Sequence, residues 1–208
     1  MRLNREDLLK IMVFSTLWGL SEAGIGGILY RHNIPYASSF LTIIAFGILS
    51  TAKVYLPQKA TSSIIGAIAM LYKFLNTPFF GCHLLAIFLL GVSFDLIFNV
   101  LNIKNKALCG IMATYLGYLL FGLTITYVFR YRYWTIGGFP KIVHYVGTDG
   151  TIASLANAIM VPLFFIFANN AKASKINFYL SKSKLIINGM SFAIFVIWVL
   201  SIVTYINL

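Results

Sequence analysis

Two acids in this chain stand where acids are costly. Glu22 lies in the apolar run 8–30, LLKIMVFSTLWGLSEAGIGGILY, and Asp95 lies in the run 83–101, HLLAIFLLGVSFDLIFNVL. A carboxylate at membrane depth faces the protein interior or a watered cavity, and it needs a partner there. Lys53 and Lys73 also fall in apolar stretches. Each acid therefore has two open roles: a structural pair with lysine, or contact with a bound solute or ion. Trp18 stands one turn before Glu22. Gly91, Asp95 and Asn99 recur every four residues, so they share one helix face, and His83 begins the same helix. A glycine beside polar acceptors suits the wall of a pocket. Alone, His83 reads first as an interfacial or hydrogen-bonded residue. In the run 151–168, Ser154 and Asn157 offer either hydrogen bonds between helices or contact with a solute. The turn RHNIPYASS carries Arg31, His32, Asn33 and Tyr36, and is either a plain turn or a cap over a cavity. The expected solute contacts are thus Trp18, Glu22, His32, Tyr36, His83, Asp95, Asn99 and Asn157. Two buried acids would suit a cationic or amine-bearing molecule, unless Lys53 and Lys73 neutralise them first.

A second pattern is made of small residues. Gly19, Ala23 and Gly27 repeat every four residues, and Gly24 and Gly26 widen the strip. On a helix this makes a shallow groove against which another helix can approach closely. That helix is either part of the same chain or part of another subunit. Gly110, Ala113, Thr114 and Gly117 form another such face, read as packing. Motifs for hydrolysis, nucleotide binding and zinc are missing: there is no HExxH, no Gly-x-Ser-x-Gly, no P-loop and no Cys/His zinc spacing. Cys82 and Cys109 read as small apolar packers. The expectation is a protein that is not an enzyme and has no cofactor and no resident metal.

These side chains must be positioned by helices in a membrane. Of 208 residues, 60% are hydrophobic and 10% charged, against roughly 25% charged in a soluble domain. That excludes a water-soluble enzyme, a disordered tail and a disulfide scaffold. The expected fold is all-α, a polytopic bundle in a single domain, with six or seven transmembrane helices. Candidate spans are 8–30, 38–56, 60–75, 83–101, 107–129, 151–168 and 185–206. The core is 8–170, and 185–206 is an extra C-terminal span. The third is short, its apolar core cut by Ser62, Ser63 and Lys73, so it either crosses or enters only part-way. The alternating decamers of an outer-membrane barrel are missing. Met1 to Lys10 is polar, and the run that follows reads as a span and not as a cleaved signal.

The net charge of +11 sets orientation. With seven crossings, one side holds Arg2, Arg5, Lys10, Lys59, Lys104, Lys106, Lys172, Lys175, Lys182 and Lys184. The other holds Arg31, Lys73, Arg130, Arg132 and Lys141. Ten against five, with Lys53 inside a span, puts the N-terminus in the cytoplasm of a cell-membrane protein. Asn169 to Lys184 then forms a basic cytoplasmic stretch suited to anionic lipid. Arg130 to Gly150 becomes an outer loop rich in aromatics. Its Tyr131, Tyr133, Trp134 and Tyr145 suit a membrane interface or, on a sharper reading, a lid over an external site. Glu6, Asp7 and Asp149 lie in tails or loops, where an acid costs little.

Two runs carry a family resemblance. LWGLSEAGIGGILYRHNIPYASSFL, residues 17–41, resembles the first helix, first loop and second-helix entry of the substrate-binding S components of energy-coupling factor (ECF) transporters. PFFGCHLLAIFLLGVSFDLIFN, residues 78–99, resembles a middle helix that carries ligand-side polar groups in several of them. The resemblance implies a membrane subunit that binds a vitamin-like or other small solute near the outer face. It implies docking, through Gly19, Ala23 and Gly27, onto a membrane coupling subunit driven by cytoplasmic ATPases. The chain departs from that pattern in its glycine-rich docking strip and its additional last span. It also lacks the conspicuous N-terminal histidine of the metal-transporting members, which argues against cobalt or nickel. A stand-alone ion-coupled carrier or channel and a non-catalytic assembly factor are the alternatives. None of these readings involves nucleic acid.

Overall fold

The computed structural model describes residues 4–75, 81–101 and 103–173. The span expected at 185–206, with Lys175, Lys182 and Lys184, lies outside the described residues. Among those described, every regular element is helical. In chain order they are α1 (Arg5–Arg31), α2 (Ala37–Tyr55), α3 (Thr61–Ala69), α4 (Gly81–Asp95), α5 (Lys106–Leu123), α6 (Arg132–Tyr145) and α7 (Thr151–Ala173). A tighter 3-10 stretch, Met70–Leu75, prolongs α3. Wider π turns, Leu96–Val100, Thr124–Val128 and Val146–Gly150, prolong α4, α5 and α6. Five helical stretches are long and apolar enough to cross a membrane, and Thr61–Leu75 is a shorter apolar one.

The boundaries follow local chemistry. Asn4 opens α1 with a reciprocal cap: its side chain accepts from the Asp7 amide at 2.7 Å, and Asp7 accepts from the Asn4 amide at 3.4 Å. Asn105 opens α5 by accepting from the amides of Ala107 and Leu108. Ala60, at the start of α3, has no side-chain oxygen to offer, so that cap comes from elsewhere in the chain. The expected loop 130–150 is instead mostly α6. Its breakers act as a kink: Gly138 takes φ 54°, and Pro140 begins a second helical piece.

The helices close into a ring. α1 packs on α2, α2 on α7, α7 on α5, α5 on α4, α4 on α3, and α3 back on α1. Its centre is a chain of rings: Phe46 meets Phe94 edge-on at 5.2 Å, Phe94 stacks on Phe98 at 4.2 Å, and Phe98 stacks on Phe165 at 5.4 Å. Trp18, Leu49 and Ile65 are fully buried beside them. Glycines set the closest approaches. A methyl on Gly91 of α4 would stand 2.6 Å from the Ser62 carbonyl oxygen of α3, so no other residue lets these backbones meet. Outward faces such as Leu155, Ile159, Leu163 and Ile166 of α7 are exposed and apolar, as a lipid-facing surface is.

Candidate functional site

Where α1 and α5 end and α2 and α4 begin, the ring holds a cavity of about 580 Å³. That is within the range of small-molecule sites, roughly 300–1,000 Å³. α1 contributes Glu22 and Tyr30. The following turn and α2 contribute Tyr36, Ser38 and Thr42; α4 contributes Cys82 and His83; and α5 contributes Tyr118 and Phe121. The far wall comes from Tyr131, from Tyr133, Trp134 and Tyr145 of α6, and from Asp149 in the π turn that follows. Eight lining residues are Tyr, Trp or Phe, and none is Lys or Arg.

The aromatic wall is internally braced. Tyr118 stacks on Tyr145 at 4.9 Å, Trp134 meets Tyr145 edge-on at 5.2 Å, and Phe121 meets Trp134 edge-on at 5.3 Å. Across the cavity, Tyr30 stacks on His83 at 4.5 Å. Tyr36 holds φ 58° and is 48% exposed. A tyrosine in the left-handed region costs about 1–3 kcal/mol, a strain commonly met at ligand-binding loops.

The charges are arranged unequally. Glu22 is buried, and Lys73 pairs with its Oε2 at 3.2 Å while donating to its backbone carbonyl at 2.7 Å. The indole of Trp18 donates to Glu22 Oε1 at 3.3 Å. Lys73 also sits 5.6 Å from the centre of the Tyr30 ring. Among the described residues Asp149 has only neutral hydrogen-bond partners. Ser38 donates to its Oδ1 at 2.6 Å, Thr148 donates to its Oδ2 at 3.1 Å, and Ser39 donates to its carbonyl at 2.9 Å. Among the described residues it forms no ion pair.

Three of the expected solute contacts line this cavity: Glu22, Tyr36 and His83. Trp18 lies behind Glu22 in the core. His32 is exposed on the turn, away from the lining. Asp95 and Asn99 sit at the opposite end of the ring. There Asp95 Oδ2 accepts from the amide and hydroxyl of Ser63 at 2.7 and 2.9 Å, and Oδ1 accepts from Asn99 at 2.6 Å and faces Lys53 at 3.5 Å. Asp95 is therefore the cap that α3 lacks in its own sequence. Asn157 is buried between α5 and α7 and donates to Thr114 at 3.0 Å. In the small-residue strip, the Tyr72 ring covers Gly19, whereas Ala23 and Gly27 are half-buried. Asp149, Tyr118, Phe121 and Tyr30 were not expected at a site. The signal for Asp149 was its place at the end of the aromatic stretch 130–150.

Among the described residues no three His, Cys, Asp or Glu side chains gather closely enough to hold a metal. Comparison with protein-family models, curated proteins and solved structures gives no match.

Proposed function

We propose that this chain is a membrane-embedded, non-enzymatic solute-binding subunit of an uptake transporter of the energy-coupling factor type. The observation that carries the reading is the aromatic cavity of about 580 Å³ at one end of an apolar helical ring. Such a cavity can hold a vitamin-sized molecule. With the N-terminus in the cytoplasm, as the distribution of basic residues implies, α1 ends at the outer face of the cell membrane. The cavity then opens outward, where an uptake protein meets its solute. In this reading the described helices that cross are α1, α2, the α3 stretch, α4, α5 and α7.

In this reading the subunit binds solute and leaves energy coupling to partners. A membrane coupling subunit would dock along the α1 flank at Ala23 and Gly27, and cytoplasmic ATPases would drive release inward. The test is mass spectrometry of the protein purified in mild detergent, with flux assays in liposomes beside it. A co-purifying small molecule and membrane subunit, with no flux from the chain alone, supports the reading. Ion-dependent uptake by the chain alone replaces it with a stand-alone carrier. Stable co-purification of a large complex with no solute replaces it with an assembly factor.

A further inference from the structure

The geometry points to a small organic cation, bearing no acidic group, as the ligand class of the cavity, with Asp149 as its counter-ion. This rests on the reading that the cavity binds a solute. The sequence alone put the negative charge at Glu22 and Asp95. In the folded chain Glu22 is neutralised by Lys73 at 3.2 Å, and Asp95 lies at the other end, beside Lys53 at 3.5 Å. Among the described residues, Asp149 is the lining carboxylate whose side-chain partners are hydroxyls alone, those of Ser38 and Thr148. A carboxylate lining an open-ended cavity, with no cation paired to it among the described residues, is matched by a cation from outside.

The walls agree with the charge. Tyr118, Tyr145, Trp134 and Phe121 form a continuous ring cluster, with Gly150 next to Asp149 brought against the Tyr118 ring. Aromatic faces attract a cation, most strongly where water is excluded, and grouped rings of this kind recognise substituted ammonium groups. An anionic solute would meet the Asp149 carboxylate and no lining Lys or Arg.

Three water-soluble probes of one shape separate charge from fit: choline, its neutral carbon analogue 3,3-dimethylbutan-1-ol, and the anion 3,3-dimethylbutanoate. Dissociation constants are measured by titration calorimetry on the full-length protein in mild detergent. Choline is expected to bind at least about tenfold more tightly than the alcohol, a difference of about 1.4 kcal/mol, with the anion weakest. Asp149→Asn should cut choline affinity about tenfold and leave the alcohol unchanged. Glu6→Gln, which removes the same charge at the far end of α1, should change neither. The ranking on the unaltered protein decides the proposal even if Asp149→Asn folds poorly. Equal binding of choline and the alcohol overturns the cation preference while leaving the cavity a solute site. A cation preference that survives in well-folded Asp149→Asn overturns the assignment to Asp149. Binding of none of the probes overturns both the proposal and the cavity reading beneath it.

Discussion

Replacing Lys73 by methionine should be the most damaging single change near the cavity. Lys73 and Glu22 have side chains only 4% and 5% exposed, 3.2 Å apart. Methionine keeps most of the volume but removes the ammonium. Glu22 would then keep one donor, the Trp18 indole at 3.3 Å. Removing one partner of a buried pair costs about 3–5 kcal/mol, because the other charge stays buried without compensation. At roughly 2–4 °C per kcal/mol for a chain of this size, the melting temperature should fall by about 6–20 °C. Glu22→Gln should cost less. It leaves Lys73 its 2.7 Å bond to the backbone carbonyl at position 22 and its place 5.6 Å from the Tyr30 ring. The double variant should be more stable than Lys73→Met alone, with a coupling of about 0.5–3 kcal/mol.

The assay is thermal unfolding of all four proteins in one detergent, followed by intrinsic fluorescence. Since the two residues lie 51 positions apart, the coupling reports a tertiary contact and not local helix propensity. A Lys73→Met protein within about 1 kcal/mol of wild type refutes the argument, because a solvated or absent pair is the arrangement that gives so small a loss. So does a double variant less stable than Lys73→Met, which would show that the acid is not the group left stranded.

Other changes separate packing from binding. Gly91→Ala should cost about 1–3 kcal/mol in the same melts, since the new methyl meets the Ser62 carbonyl at 2.6 Å and backbone cannot give way cheaply. Gly24→Ala, with nothing within 4 Å of its new methyl, should cost nothing, and a matching loss there would remove the steric explanation. Asp95→Asn should lower stability by about 1.5–3 kcal/mol through its weakened bonds to Ser63 and Lys53. It should leave choline affinity unchanged, and a loss of affinity without loss of stability would move the site towards Asp95. A water-soluble maleimide should modify Cys82, which lines the cavity, and spare Cys109, which is fully buried. Intact mass shows which residue reacts, and equal rates at both would contradict the cavity's position.

Much of the frame was legible because apolar runs and their breakers are local signals. The runs at 8–30, 38–56, 60–75, 83–101 and 107–129 match described helical stretches to within three residues at either end. Alternating direction then brings the end of α1, its turn and the start of α4 together, which is why Glu22, Tyr36 and His83 meet at one cavity. Partner choice was not legible. Glu22 had two lysines within plausible reach on elements that both neighbour α1, and depth selects Lys73, because Lys53 lies at the other end of the ring beside Asp95. Asp149 was hidden for a different reason. Gly137, Gly138, Pro140, Gly147 and Gly150 all argue for a loop, and a loop acid needs no partner. The kink at Gly138 turns those breakers into a helix that carries Trp134 and Tyr145 over the ring end, and Asp149 comes with it. The cluster Tyr131, Tyr133, Trp134 and Tyr145 drew notice by its density, whereas in a chain with 12 Tyr and 18 Phe nothing in the spacing marks Tyr30, Tyr118 and Phe121 as facing a cavity.

The two acids buried in the spans are explained by the shortest helix. α3 has 9 residues and its 3-10 extension has 6. At about 1.5 Å per residue for α and about 2.0 Å for 3-10, the stretch reaches roughly 25 Å, whereas all-α winding would give about 22 Å. Both fall short of a hydrocarbon core of about 30 Å, and the tighter winding recovers part of the deficit. The ends are then held by polar clamps. Asp95 caps the first turn through Ser63, and Glu22 holds the last through Lys73. Each acid belongs to a neighbour of α3 in the ring, α4 at one end and α1 at the other. Positioned this way, α3 lays Tyr72 over Gly19 and Gly66 against Trp18, fixing α1 from the side. A residue spent on holding the frame is a poor choice for recognising a solute, because any ligand that drew it away would loosen a helix. Asp149 also ties elements together, joining the turn after α6 to the start of α2, but it does so through neutral hydroxyls. Among the described residues its side-chain partners are two hydroxyls at the open end, so a cation can engage it without breaking an ion pair.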